Sequence, residues 1–385
     1  MLDAAGWLGP TRSVRSLVRD GTTRSFWLSG FLEQIADWVV LVALIVGAVG
    51  ATGDVGAAAI VVLARVAPRI VIVLNRVYAP DRVGRYGLML SLGVLAAVAG
   101  GLAILTSDTD LTARWSGAFL YGYLADHTRQ VRGVVAPEVV PREQLAAASS
   151  LRALMDRLGF AFGPIVAALV IGTGGPGVPN ALFTAGILLL VAALLARPAA
   201  NFDMPPRATS DSGGIVLPLA LRHVLGHPQL VVLATATLAG SAIATSAIVA
   251  LVGLVARGLT DGPVGIGLGL AFVGLGALAG TALAAIALIR SLGRLPVSLI
   301  GAGIVGVIAI GALIISQSPS FIVTAVALLA MGVAAVTADT LATVVVRRST
   351  PLAALRATER TLLVASAIGQ ALGAVAWFAI PASAG

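Results

Sequence analysis

Apolar residues in this chain do not recur at the spacing of a half-buried helix. They run almost uninterrupted in blocks of about twenty, the length that crosses a bilayer core. The blocks lie at 27–50, 56–79, 85–106, 114–136, 146–172, 178–196, 228–256, 263–289, 295–316, 320–345 and 360–381, which predicts eleven transmembrane helices and an all-α polytopic membrane protein. Most connections are short and rich in Gly, Pro, Ser and Asp. One long polar stretch, about 197–227, divides the chain. The expected organisation is a basic tail over 1–25, a six-helix bundle over 26–197, a linker over 198–226 and a five-helix bundle over 227–385. Residues 1–25 are polar and basic and the first apolar block is already span-length, so no cleavable signal peptide is read there.

Charge sets the orientation. All 25 basic residues are Arg. The tail and the connections after spans two, four, six, eight and ten hold seventeen of them, whereas the opposite connections hold only Arg114 and Arg257. That asymmetry predicts a cytoplasmic N-terminus and an external C-terminus in the plasma (inner) membrane. The net charge of +8 does not point to nucleic acid, because the arginines separate apolar spans instead of clustering on one polar face.

Composition excludes several classes. With 58% apolar and 11% charged residues the chain falls far below the roughly 25% charge of a soluble domain. It has no Cys, three His and no HExxH pair, so no metal centre or cofactor is expected and enzyme chemistry has no candidate group. Gly301-Ala-Gly303-Ile-Val-Gly306 matches a dinucleotide fingerprint but lies inside an apolar span with no strand before it, and reads as helix packing. The glycines of span eight, Gly265, Gly267, Gly269, Gly274, Gly276 and Gly280, read the same way.

The informative residues are charges inside spans. Span one carries Glu33 and, roughly 16 Å in from its cytoplasmic end, Asp37. Span two carries Arg65 and Arg69, four residues apart on one face and flanking Pro68. Span four carries Asp126, His127, Arg129 and Arg132, and span five carries Arg152, Asp156 and Arg157. Six arginines facing lipid would cost on the order of 15–20 kcal/mol. They are therefore expected to face one another or a wet cavity. One reading makes Asp37, Asp126 and either Glu33 or Asp156 proton-accepting partners of Arg65 and Arg69; the other makes the pairs static clamps. His127 reads as a proton shuttle or as a hydrogen-bonded pore residue.

Asp81-Arg82-Val-Gly84-Arg85 resembles the loop between the second and third helices of the major facilitator superfamily. Gln34-Ile-Ala-Asp37-Trp38, Ala64-Arg65-Val-Ala-Pro68-Arg69 and Pro137-Glu-Val-Val-Pro141-Arg-Glu-Gln144 are similar to its enterobactin-exporter-like branch. Gly159-Phe-Ala-Phe-Gly163-Pro164 resembles the antiporter motif of drug exporters. The resemblance implies two helix bundles that rock about a central cavity lined, on the N-terminal side, by helices one, two, four and five. It implies that Asp81, Arg82, Gly84 and Arg85 latch the cytoplasmic side, and that Gly159, Gly163 and Pro164 shape a gating helix. The family has twelve helices, so the last is expected to be absent here, leaving an apolar flank for lipid, a partner or a second copy. The implied function is proton-coupled export of a small amphipathic or anionic compound (a siderophore, drug or natural product). A proton-coupled importer and a transport-silent scaffold remain alternatives.

Overall fold

The computed structural model describes residues 17, 19–74, 86–105, 111–140, 144–172, 177–201, 217–256, 262–290, 297–318, 320–350 and 352–376. The first helix, α1 (Gly21–Thr52), begins where Asp20 takes an extended conformation and its carboxylate accepts from the Thr23 amide at 2.7 Å and hydroxyl at 2.6 Å. It stops at Gly53, whose φ of 67° is left-handed and whose amide donates to the Val49 carbonyl. Asp54 accepts from the Gly56 amide at 2.8 Å and so starts α2 (Gly56–Leu74). There follow α3 (Gly87–Leu105), α4 (Leu111–Val139), α5 (Leu145–Gly172) and α6 (Gly177–Ala196). A short 3₁₀ turn and a nine-residue helix, α7 (Leu217–Leu225), precede α8 (Pro228–Ala256), α9 (Gly262–Arg290), α10 (Val297–Gln317), α11 (Phe321–Ser349) and α12 (Leu352–Ala376).

Eleven of these twelve helices correspond to the eleven apolar blocks, and the fold is all-α. Six are long and apolar enough to cross a membrane on length and composition alone. Large apolar side chains on α3, α6, α10 and α11, among them Leu90, Ile187, Leu313 and Ile322, are exposed as lipid-facing residues would be. In α4 the apolar run is broken by its buried Arg114, Asp126 and Arg132.

The extra element is α7, inside the stretch read as linker. Val224 is buried with Leu230 and Leu233 of α8, and Leu362 of α12 packs against them, so α7 is a docked helix. Its signal was a single apolar stripe, too short to register as a span.

In the first half α1 packs on α5, α6, α2 and α4, and α6 stands between α1 and α3. In the second half α8 pairs with α12 as α1 does with α5, and α9 pairs with α11 as α2 does with α4. There α8 packs directly on α10, in the position that α6 separates in the first half. The halves meet mainly through α5 on α9 and α2 on α12.

Small residues make these meetings close. A methyl at Gly267 of α9 would sit 2.6 Å from the Pro164 carbonyl of α5, and one at Gly274 would sit 2.5 Å from Ala161 Cα. Gly280 turns to α11 instead, 2.6 Å from the Val333 carbonyl. By contrast Gly303 and Gly306 of α10 meet nothing within 4 Å, so packing does not account for them.

Candidate functional site

The charged side chains of α1, α2 and α4 meet inside the first half as one alternating chain. Arg65 donates to Asp37 at 2.5 Å; the other carboxylate oxygen of Asp37 accepts from Arg129, also at 2.5 Å. Arg129 reaches on to Asp126 at 2.9 Å, and Asp126 accepts two bonds from Arg69 at 3.2 Å. The order is thus Arg65–Asp37–Arg129–Asp126–Arg69, three guanidinium groups against two carboxylates.

Local sequence dictates this geometry. Arg65 and Arg69 are one helical turn apart on α2, so each takes a different acid. Asp126 and Arg129 are three apart on α4 and pair along it. Arg65 is the most enclosed, with its side chain 7% exposed. A second bond runs from it to the Gly122 carbonyl at 3.4 Å, and its guanidinium lies 5.7 Å from the Tyr121 ring centroid. Arg129 is more open, at 29% exposure, and also donates to the Gln34 side chain at 3.3 Å.

Glu33 was expected beside Arg65 or Arg69. It instead pairs with Arg132 at 2.6 Å, because it lies one turn of α1 before Asp37 and meets the matching turn of α4. Arg132 also donates to the Phe26 carbonyl and Ser29 hydroxyl, each at 3.0 Å, so this buried cation is held on several sides. Asp156 likewise does not join Arg65 or Arg69. It faces Arg152 on its own helix at 3.9 Å, since α5 lies on a different side of α1. His127 and Arg157 are half-buried. Asp81, Arg82, Gly84 and Arg85 lie outside the described residues.

Gly159, Gly163 and Pro164 set α5 between two partners. Gly159 is pressed against Gln34, and a methyl at Gly163 would sit 2.5 Å from Trp38 Cβ. Phe160 stacks on Trp38 with centroids 4.1 Å apart. The opposite face of α5 carries the Pro164 carbonyl against Gly267. The helix with the proline therefore touches both the acid-bearing α1 and the other half of the molecule.

Beneath the ion chain, between α1, α4 and α5, opens a narrow cleft of about 30 Å³, room for one or two waters. Glu33, Arg129 and Arg132 line one side, and Arg152 and Asp156 the other. Gln34 completes the wall together with Trp27, Gly30 and Met155, which sequence reasoning missed because such residues inside a span give no signal of their own.

The family model of the Major Facilitator Superfamily matches residues 26–381. No curated protein matches the chain in sequence. Among solved structures, the nucleoside transporter NupG superposes with a TM-score of 0.66 at 11% identity, over 92% of this chain and 89% of its own. A D-xylose-proton symporter gives 0.66 at 16%, over 92% and 88%. A bacterial homologue of the human lysosomal transporter Spinster, inward-facing and unoccupied, gives 0.66 at 12%, over 92% and 81%. These likenesses show a shared fold, and with the match along nearly the whole chain they place this protein in the major facilitator superfamily.

Proposed function

We propose that the chain is a proton-coupled exporter of a small amphipathic anion, working by alternating access in the plasma (inner) membrane, with its N-terminus cytoplasmic and its C-terminus outside. Protons, lipids and the cargo are its expected partners. The observation that carries the reading is Arg129 held between Asp37 and Asp126. Asp37 is the only member of the ion chain on α1, and it accepts from α2 and α4 at once. Protonating it removes the charge that holds both links and leaves Asp126 as the carboxylate shared by Arg69 and Arg129. Such a step frees α1 to shift against α2 and α4 and exposes guanidinium charge to an anion.

Likeness of Gly159–Pro164 to the antiporter motif supports export and an enterobactin-exporter-like or drug-antiporter-like branch. The contacts of α5 with α1 and α9 give that motif a mechanical route from the acids to the second half. One observation favours import instead. The ion chain carries one more positive than negative charge, so a proton and an anion bind more tightly together than apart, which is the linkage of a symporter.

Vesicles containing the purified protein and a trapped pH-sensitive dye test the proposal. Anionic organic compounds are expected to drive proton movement, which Asp37→Asn and Asp126→Asn abolish while the protein stays folded. Protons moving opposite to the anion give export, and protons moving with it give import. Full proton movement in both variants sinks the coupling, and none in the wild type under any gradient leaves the scaffold reading.

A further inference from the structure

Three sides of α7 have three different characters. Val224, only 3% exposed, docks with Leu230 and Leu233 of α8 and with Leu362 of α12. Leu221 and Leu225, one turn apart, form a second side and are 46% and 63% exposed. Arg222, also exposed, begins the third side, about 100° further round the helix than Leu221. The end of α7 fixes where these sides lie. Only Gly226 and His227 separate Leu225 from Pro228, the first residue of the spanning helix α8. The Gly226 amide donates to the Arg222 carbonyl at 2.9 Å, and the His227 amide to the Val224 carbonyl at 3.1 Å. The His227 ring donates to the His223 carbonyl at 2.8 Å, so the elbow is tied to α7 by its own bonds. Two residues reach at most about 7 Å, which holds α7 at the bilayer surface from which α8 enters. Charge along this part of the chain has one sign. No Asp or Glu occurs between Asp211 and Asp261, and the first turns of α12, on which α7 packs, add Arg356 and Arg360 against Glu359.

We propose that α7 is an in-plane helix that binds anionic phospholipid. Leu221 and Leu225 enter the acyl region, and the Arg222 guanidinium holds the negative headgroup. Protein on one side, acyl chain on the next and headgroup on the third is the order that a helix lying in the interface requires. The leaflet thereby becomes a partner of the contact between α7, α8 and α12. Neither the cargo nor the direction of transport enters this assignment.

Fluorescence quenching in vesicles tests it on the full chain, whose lack of Cys lets a single label be placed. Leu221→Cys and Leu225→Cys carry an environment-sensitive fluorophore in phosphatidylcholine vesicles. A small fraction of the lipid bears a nitroxide on its acyl chain, as either phosphatidylglycerol or phosphatidylcholine. Both labels are expected to be quenched, and about twofold more strongly by the phosphatidylglycerol form, since one interfacial Arg enriches anionic lipid several-fold. Arg222→Gln beside either label keeps the quenching and removes the preference. A label at Leu313→Cys, exposed near the opposite end of the α10 span, is quenched equally by the two lipids. Absence of quenching at both α7 positions overturns the insertion of the helix. Equal quenching by the two lipids, a preference that survives Arg222→Gln, or the same preference at Leu313 overturns the headgroup site.

Discussion

Arg129 of α4 donates to Asp37 of α1 at 2.5 Å and, through its other terminal nitrogen, to Asp126 at 2.9 Å. One side chain thereby joins two buried acids that belong to different helices. Arg129→Gln breaks the chain at its centre and leaves Asp37 with Arg65 and Asp126 with Arg69. Because each acid keeps a partner, the expected loss of stability is small, about 1–2 kcal/mol, while coupled proton movement falls by at least tenfold. Thermal unfolding and vesicle flux measured on the same preparation check the pair of outcomes.

The Glu33–Arg132 pair behaves differently. Both side chains are almost fully enclosed, at 6% and 5% exposure. Glu33→Ala strands a buried cation and is expected to destabilise the protein by about 3–5 kcal/mol. Its milder counterpart, Glu33→Gln, keeps an acceptor for Arg132 and recovers part of that loss. Melting curves of the two variants decide the order.

The seam between α5 and α9 offers a mechanical test. The Cys-free chain allows introduced pairs to be read without background. A Cβ at Gly172 of α5 would lie 2.8 Å from Val264 Cγ2 of α9 across the seam, so Gly172→Cys with Val264→Cys is expected to cross-link under mild oxidation. If the halves rock there, cross-linking stops flux and reductant restores it. Uninhibited flux in the cross-linked protein would show that this seam does not move.

Acid sensitivity outside the membrane has a definite sign at Asp20. The Thr23 hydroxyl and amide hold its carboxyl below the usual value of 3.8. Its folded pKa is depressed, so the cap contributes fully above the unfolded value and the contribution disappears as pH falls through the folded one. Asp20→Ala is expected to cost about 1 kcal/mol at neutral pH and progressively less as the pH is lowered below 3.8. Melting temperatures of the variant and wild type across that range check it.

What could be read from the chain follows from which forces are local. The spans were legible because lipid demands unbroken apolar runs, whatever the neighbours do. That charges on spans one, two and four would meet was legible from the cost of leaving them in lipid. Which acid takes which arginine was not. Glu33 and Asp37 are one turn apart on the same helix, and only the rotation of α1 against α4 gives Arg132 to the first and Arg129 to the second. Arg129 reads in sequence as one more charge on span four; its bridging position exists only once α1, α2 and α4 are packed. Nothing in the sequence singled out Trp27, and α7 fell in the stretch read as linker.

Distance measurement between spin labels tests the central claim without knowledge of the cargo. Leu154 on α5 and Leu283 on α9 are exposed near the ends of their helices that face the cytoplasm in the orientation proposed here. With Cys at both positions in nanodiscs, the distance distribution is expected to shift between pH 8 and pH 5 in the wild type. In Asp37→Asn it should stay fixed at the low-pH form at both values. An equal pH-driven shift in Asp37→Asn would contradict the assignment of Asp37 as the protonation switch.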